Sequence, residues 1–340
     1  MRRLAFTLAL LLAGCGPADM AAPLRLPGAP ESSPAALAAS ATPTPAIDGR
    51  IAFSKGHDLW LFQGATASQL TTTGAVQDPA WSPDGSLLAF DRAGKNSADL
   101  LILSYPDGHV QQLTSNGSAV VDSNFWDMQP AWSPDGKFLV FASDRGRTRT
   151  GTLDLAVWRM ALADRVRSQL SGANVYTGGV DRPSVRPGDG FGVLYTSWTY
   201  LPTYQDAYGQ LVLLDSPSGK SWLLSERGET AMQGSWSPDG VRIAFIRRVG
   251  SKDQVWLAPV PFLLGADTDV LAQATLVADG VNAHPVWSSR GDSIAYIGLR
   301  DGSFDLWVQP LTPALGPDGP PRQLTHGLHV DADSSISWAA

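Results

Sequence analysis

A single cysteine, Cys15, serves a chain of 340 residues, so no internal disulfide can form and no cysteine-clustered zinc site can be built. Charge is scarce too: Asp, Glu, Lys and Arg make up 17% of the residues, against roughly 25% in ordinary soluble domains. The surplus is acidic, 32 Asp and Glu against 25 Lys and Arg. That balance offers no basic surface to neutralise phosphates, and no nucleic-acid partner is expected. The apolar run at residues 4–13 is ten residues long, too short to cross a bilayer, which takes about 20. Missing as well are a GxSxG elbow, an HExxH helix and a P-loop. What the chain holds in quantity is turn material, 34 Gly and 25 Pro, and this leans towards an all-β, loop-rich, exported protein.

The positive start Met1-Arg2-Arg3 followed by that apolar run has the layout of a secretory signal. It closes on Leu12-Ala13-Gly14-Cys15, which resembles the bacterial lipobox. The resemblance implies cleavage before Cys15, lipidation of its thiol and, through several acyl chains, stable membrane anchoring. Residues 17–46 contain ten Ala and seven Pro with no alternating apolar pattern, so they read as a tether that reaches on the order of 90 Å when extended. The predicted layout is a signal peptide at 1–14, a tether at 15–46 and a folded domain at 47–340.

Self-similarity organises that domain. PAWSPDG occurs at 79–85 and 130–136, GSWSPDG at 234–240, with weaker copies PSVRPGDG at 183–190 and PVWSSRG at 285–291, and SISWAA at 335–340. The anchors Trp81, Trp132, Val185, Trp236, Trp287 and Trp338 are 51 to 53 residues apart. The first five are each followed by an apolar run ending in an aromatic (Phe90, Phe141, Tyr195, Phe245, Tyr296), then by a third run such as DLLIL or QVWLA. A recurring QLT, at 69–71, 112–114 and 323–325, marks a fourth strand. Pro, Asp and Gly in SPDG suit successive positions of a type I turn. The pattern predicts four strands per unit and six units, with the tryptophans of the first and third strands as core. SISWAA has no turn or second strand after it, whereas IDGRIAFS at 47–54 supplies both. One blade is therefore expected to combine both termini: an all-β, six-bladed β-propeller closed without free sheet edges.

These phases resemble the propeller of the TolB family over residues 47–340. The resemblance implies that fold and leaves the ligand open, because the shared residues are turn and core residues. TolB proteins also carry an N-terminal α/β domain and are soluble in the periplasm; here a lipobox and a tether occupy that place. Similar propellers precede the catalytic domain of prolyl-oligopeptidase-type enzymes, and a peptidase of that kind is not expected at this chain length.

The first strand of each blade lines the channel, and the residue three before the anchor is expected at its mouth: Asp78, Gln129, Arg182, Gln233, His284 and Ser335. Such a mixed polar ring suits an asymmetric ligand, although free drift at exposed positions would give the same mixture. Loops on that face bring Phe125, Trp126, Trp198, Tyr200, Tyr204 and Tyr208 as candidate interface anchors. Arg182 and Trp126 lie outside the repeated core phases, so their substitution is expected to spare the fold. Arg145, Arg147 and Arg149 read as a solvated basic loop. His326, His329, Asp331 and Asp333 are metal-ligand types in one loop, but the spacing matches no recognised site, and no metal or cofactor is expected. The expected function is a monomeric, non-catalytic, membrane-tethered extracytoplasmic scaffold that binds a protein or peptide of the cell envelope. The rival is a carbohydrate-active or glycan-binding propeller with His284 and Asp78 as acid and base.

Overall fold

The computed structural model describes residues 46–146, 155–172, 179–188, 192–200, 207–225, 228–261 and 270–340; Cys15, the tether up to residue 45, Arg147, Arg149 and Tyr204 lie outside them. The described residues form six four-stranded sheets. Blade 1 runs from its innermost strand Val76–Trp81 through Leu87–Ala93 and Ala98–Ser104 to Val110–Gln112. The innermost strands of blades 2 to 5 are Asp127–Trp132, Val180–Val185, Ala231–Trp236 and Asn282–Trp287. Blade 6 joins Ser337–Ala339 to Ile47–Lys55, Asp58–Gly64 and Thr66–Gln69. Trp338 there pairs with Ile51, so the ring is closed by both ends of the domain as the repeat phase predicts.

The core sits between successive blades. Phe53, Phe90, Phe141 and Phe245 are fully buried, and the anchors Trp81, Trp132, Trp236 and Trp287 nearly so. Third-strand tryptophans are half-buried and carry cations on their faces: Lys55 on Trp60, Arg247 on Trp256 and Arg300 on Trp307, 4.9 to 5.3 Å from the ring centroids. The SPDG turn is built by its own residues. Gly85 N–H donates to Ser82 O at 2.8 Å, Ser82 Oγ donates to Asp84 at 2.6 Å, and the same bonds recur at Ser133 and Ser237. Blades 3 and 6 have no serine after the anchor, and each uses an arginine instead. Arg50 donates to Gly85 O and stacks on Trp81, and Arg186 donates to Gly240 O and stacks on Trp236, tying each blade to the next.

The DL…QLT pairing has a physical reason. Asp58, at the head of a third strand, accepts from Thr71 Oγ1 at 2.9 Å and from the main-chain N–H of Thr73 and Gly74. Thr71 Oγ1 in turn accepts from Leu59 N–H. Asp99 with Thr114, and Asp305 with Thr325, repeat the clasp. It satisfies the polar groups that a blade exposes where its third strand begins and its fourth ends.

Candidate functional site

The ring residues are positioned by a bulge. In each of the first five innermost strands the ladder slips by a residue just before the anchor, as between Gln77 and Ala80. Asp78, Gln129, Arg182, Gln233 and His284 sit there with φ between 50° and 57°. Four of them precede a proline, which has no N–H to give the ladder. Positive φ at a non-glycine residue costs about 1–3 kcal/mol, so five copies must be held in place, and a closed hydrogen-bond set does so. The main-chain N–H of Asp78 donates to Ser334 Oγ, that of Gln129 to Asp91, that of Arg182 to Gln129 Oε1, that of Gln233 to Thr196 Oγ1, that of His284 to Gln233 Oε1 and that of Ser335 to Asp78 Oδ1, all between 2.7 and 3.0 Å.

Across the axis, Arg182 Nη1 donates to Asp78 Oδ1 at 2.6 Å. The ring is closed over on the face of the second-to-third-strand loops by residues 332 and 333, whose carbonyl oxygens meet His284 Nε2 at 3.1 Å and Arg182 Nη2 at 2.5 Å. On the other side a funnel of about 560 Å³ opens, with Gln129, Arg182, Gln233, His284 and Ser335 at its floor and prolines and tryptophans such as Pro83, Trp132, Pro183 and Trp236 as its walls. The ring is thus reached from the face of the SPDG turns. Asp78 is 1% exposed and does not line the funnel.

Electrostatics at the floor follow from burial. Burial, then the charge of Asp78, pushes Asp91 well above the usual carboxylate range, and burial raises Asp181 too. Although burial opposes its charge, Asp78, Asp181 and Asp91 hold Arg182 above its ordinary value. Burial and the Arg182 charge push His284 well below its ordinary value, so its ring is neutral and Nε2–H donates to Ala332 O. A histidine lowered in the folded state loses stability as pH falls below its unfolded pKa of about 6.5. His284→Gln, which keeps a donor, should therefore flatten the stability curve between pH 6.5 and 5.5 by up to about 1.4 kcal/mol per pH unit, read from urea midpoints; an unaltered slope would show that His284 titrates normally.

The other sequence candidates separate from the ring. Phe125 and Trp126 are half-buried on the opposite face. Trp198 stands in the strand Gly192–Tyr200, not in a loop, and packs on the cluster of Met232 and Ile246; the hairpin strands run on to the Tyr200–Ala207 pair, because apolar alternation continues past Trp198. Arg145 is likewise not a solvated loop residue: it is paired with fully buried Asp127 at 2.9 Å and stacks on Phe125. In the HGLHVDADS loop His326 and His329 are exposed, while Asp331 accepts from the N–H groups of Gly56 and His57. Among the described residues no three His, Cys, Asp or Glu side chains gather as a metal site. Sequence reading missed Asp91, Thr196 and Ser334, which hold the ring from behind; their only signal was an unusually polar residue in an apolar strand or beside it.

No protein-family model matches the chain. It is 26% identical over 201 residues to the uncharacterized peptidase YuxL of Bacillus subtilis (strain 168), a match that covers 58% of this chain and 26% of that protein; the chain spans about a quarter of the length of that curated relative. Among solved structures it resembles TolB from Acinetobacter baumannii, with TM-score 0.63 and 18% identity over 86% of this chain and 66% of that one. TolB from Agrobacterium tumefaciens gives 0.57 and 17%, over 80% and 92%. An oligogalacturonate lyase in complex with manganese gives 0.51 and 14%, over 74% and 68%. The fold of the chain is that of a TolB-like six-bladed β-propeller, one blade of which is shared between the two ends of the domain.

Proposed function

We propose that the protein is a non-catalytic, extracytoplasmic binding propeller, tethered to a membrane through Cys15, that takes a protein or peptide of the cell envelope into its funnel. The observation that carries this reading is the funnel itself, in the size range of ligand sites, with apolar walls and a few fixed polar groups. Gln129 and Gln233 each turn the carboxamide oxygen to a main-chain N–H, which fixes Nε2 at the other end. Those two NH₂ groups have no partner among the described residues and suit the carbonyl oxygens of a peptide. The rival acid–base reading is weaker: Asp78 is committed to Arg182 and Ser335, and His284 is held neutral by burial and the Arg182 charge, with its Nε2 engaged by Ala332 O.

Two measurements test the proposal. Cys15→Ser should release the protein from the membrane fraction or leave it uncleaved, and wild-type processing and retention of that variant would remove the anchor from the account. The purified wild-type chain should leave oligogalacturonate intact with or without manganese; turnover would favour the rival.

A further inference from the structure

The N-terminal segment enters the propeller through Ala46, Ile47 and Asp48, beside the funnel. A cleft of about 190 Å³ is lined by Ala46, Ile47 and Asp48 on one side and by the turn of blade 5 on the other. It shares Ser288, Ser289 and Trp338 with the funnel, so the exit point of the N-terminal segment and the funnel are continuous. Asp48 fixes this exit: its side chain pairs with Arg290, and its carbonyl oxygen accepts from Trp338 Nε1 at 2.9 Å.

What precedes Ala46 matches the funnel chemically. Residues 33–45 read SPAALAASATPTP, without a charge, and Leu37 is the one large apolar side chain between residues 27 and 46. Prolines favour the polyproline II conformation, which leaves main-chain carbonyl oxygens unpaired and rises about 3.1 Å per residue. The floor offers the spare NH₂ groups of Gln129 and Gln233, and the walls offer proline and tryptophan faces. Aromatic-lined grooves recognise such segments. From floor to rim the funnel follows about five strand residues, roughly 17 Å at 3.3 Å each, whereas the nine residues from Leu37 to Ala46 extend about 28 Å. A segment joined to the rim of its own site is present there at millimolar effective concentration, so even weak affinity fills it.

We propose that the funnel is occupied by the chain's own proline- and alanine-rich segment, residues 33–45, which crosses the cleft at Ala46 and sets Leu37 against the proline and tryptophan walls. The inference rests on the funnel's being a peptide-binding site, and it makes the tether a competitor that any envelope partner must displace.

The test places a photoreactive benzoylphenylalanine at Leu37 in the full chain and maps adducts by mass spectrometry at dilute protein concentration. The expected adducts are intramolecular and lie on Trp132, Pro183, Trp236 and their neighbours. Gln233→Glu keeps the acceptor for His284 N–H and removes the spare donor, so it should lower the adduct yield several-fold; a synthetic peptide of residues 33–45, added at millimolar concentration, should do the same without any substitution in the funnel. Adducts on the outer faces, adducts only between two copies, or a yield indifferent to both the peptide and Gln233→Glu would overturn the proposal. Funnel adducts without capture of any envelope partner would leave self-occupancy standing and remove the partner reading alone.

Discussion

Arg182→Glu should cost the propeller most of its stability. Arg182 is the cation among three buried or nearly buried carboxylates, with Asp78 at 2.6 Å and Asp91 and Asp181 close enough to raise its pKa. Removing one partner of a buried pair costs about 3–5 kcal/mol, and a fourth carboxylate adds repulsion, against a total of about 5–15 kcal/mol for a typical domain. The outcome is therefore an aggregated chain or a strongly lowered melting temperature, contrary to the sequence-based expectation that the substitution spares the fold. Two controls isolate the cause. Asp78→Asn with Arg182→Met should recover much of the loss, because the introduced carboxamide oxygen can still accept from Ser335 N–H and no charge is stranded. Acid should narrow the deficit of Arg182→Glu: carboxyls whose folded pKa is raised, as for Asp91 and Asp181, contribute stability that is present below about pH 4 and lost as pH rises through the folded value. A melting temperature equal to that of wild type at pH 7 would show that the pair carries no structural weight.

Removal of residues 335–340 should open the ring. It deletes the innermost strand of blade 6, Ser337–Ala339, and its pairing with Arg50, Ile51 and Ala52. It also strips away Ile336, 3% exposed, which alone is worth about 2–5 kcal/mol as a buried aliphatic side chain. Two polar contacts with blade 1 go with it: Trp81 N–H loses Ser337 Oγ, and Asp78 loses the Ser335 N–H. Blade 6 is then left with Ile47–Lys55 as an unpaired edge, and aggregation follows from such an edge. Calorimetry of the truncated chain should show a transition far below that of wild type, or none. A transition at the wild-type temperature would mean that closure by both termini does not stabilise the domain.

The repeat made the fold legible because turn and core residues act locally. Ser82, Pro83, Asp84 and Gly85 build their turn from their own hydrogen bonds, and Trp81 marks the same depth in its blade as Trp132 in the next. The pairing of Asp58 with Thr71 was visible as DL and QLT without its reason. The site was only half legible. Position three before the anchor identified the ring residues, yet which face the ring opens to depends on residues 332 and 333, whose carbonyl oxygens lie across it. The Arg182–Asp78 pair joins blades 1 and 3 over 104 positions, and no local pattern announces such a contact. Trp198 looked like a loop aromatic because loop length was read from the absence of a repeat, whereas its strand continues as far as the backbone ladder allows.

The most direct test of the account is quantitative capture of envelope proteins by the immobilised full chain and three variants. Gln233→Glu alters the funnel floor, Trp126→Ala alters the opposite face, and Asp107→Ala lies in the turn between the third and fourth strands of blade 1. A funnel site predicts that Gln233→Glu weakens capture by about 2 kcal/mol, roughly thirtyfold, as a central hot spot does, while the other two variants bind like wild type. Undiminished capture by Gln233→Glu together with loss in Trp126→Ala would place the partner on the loop face and contradict the account.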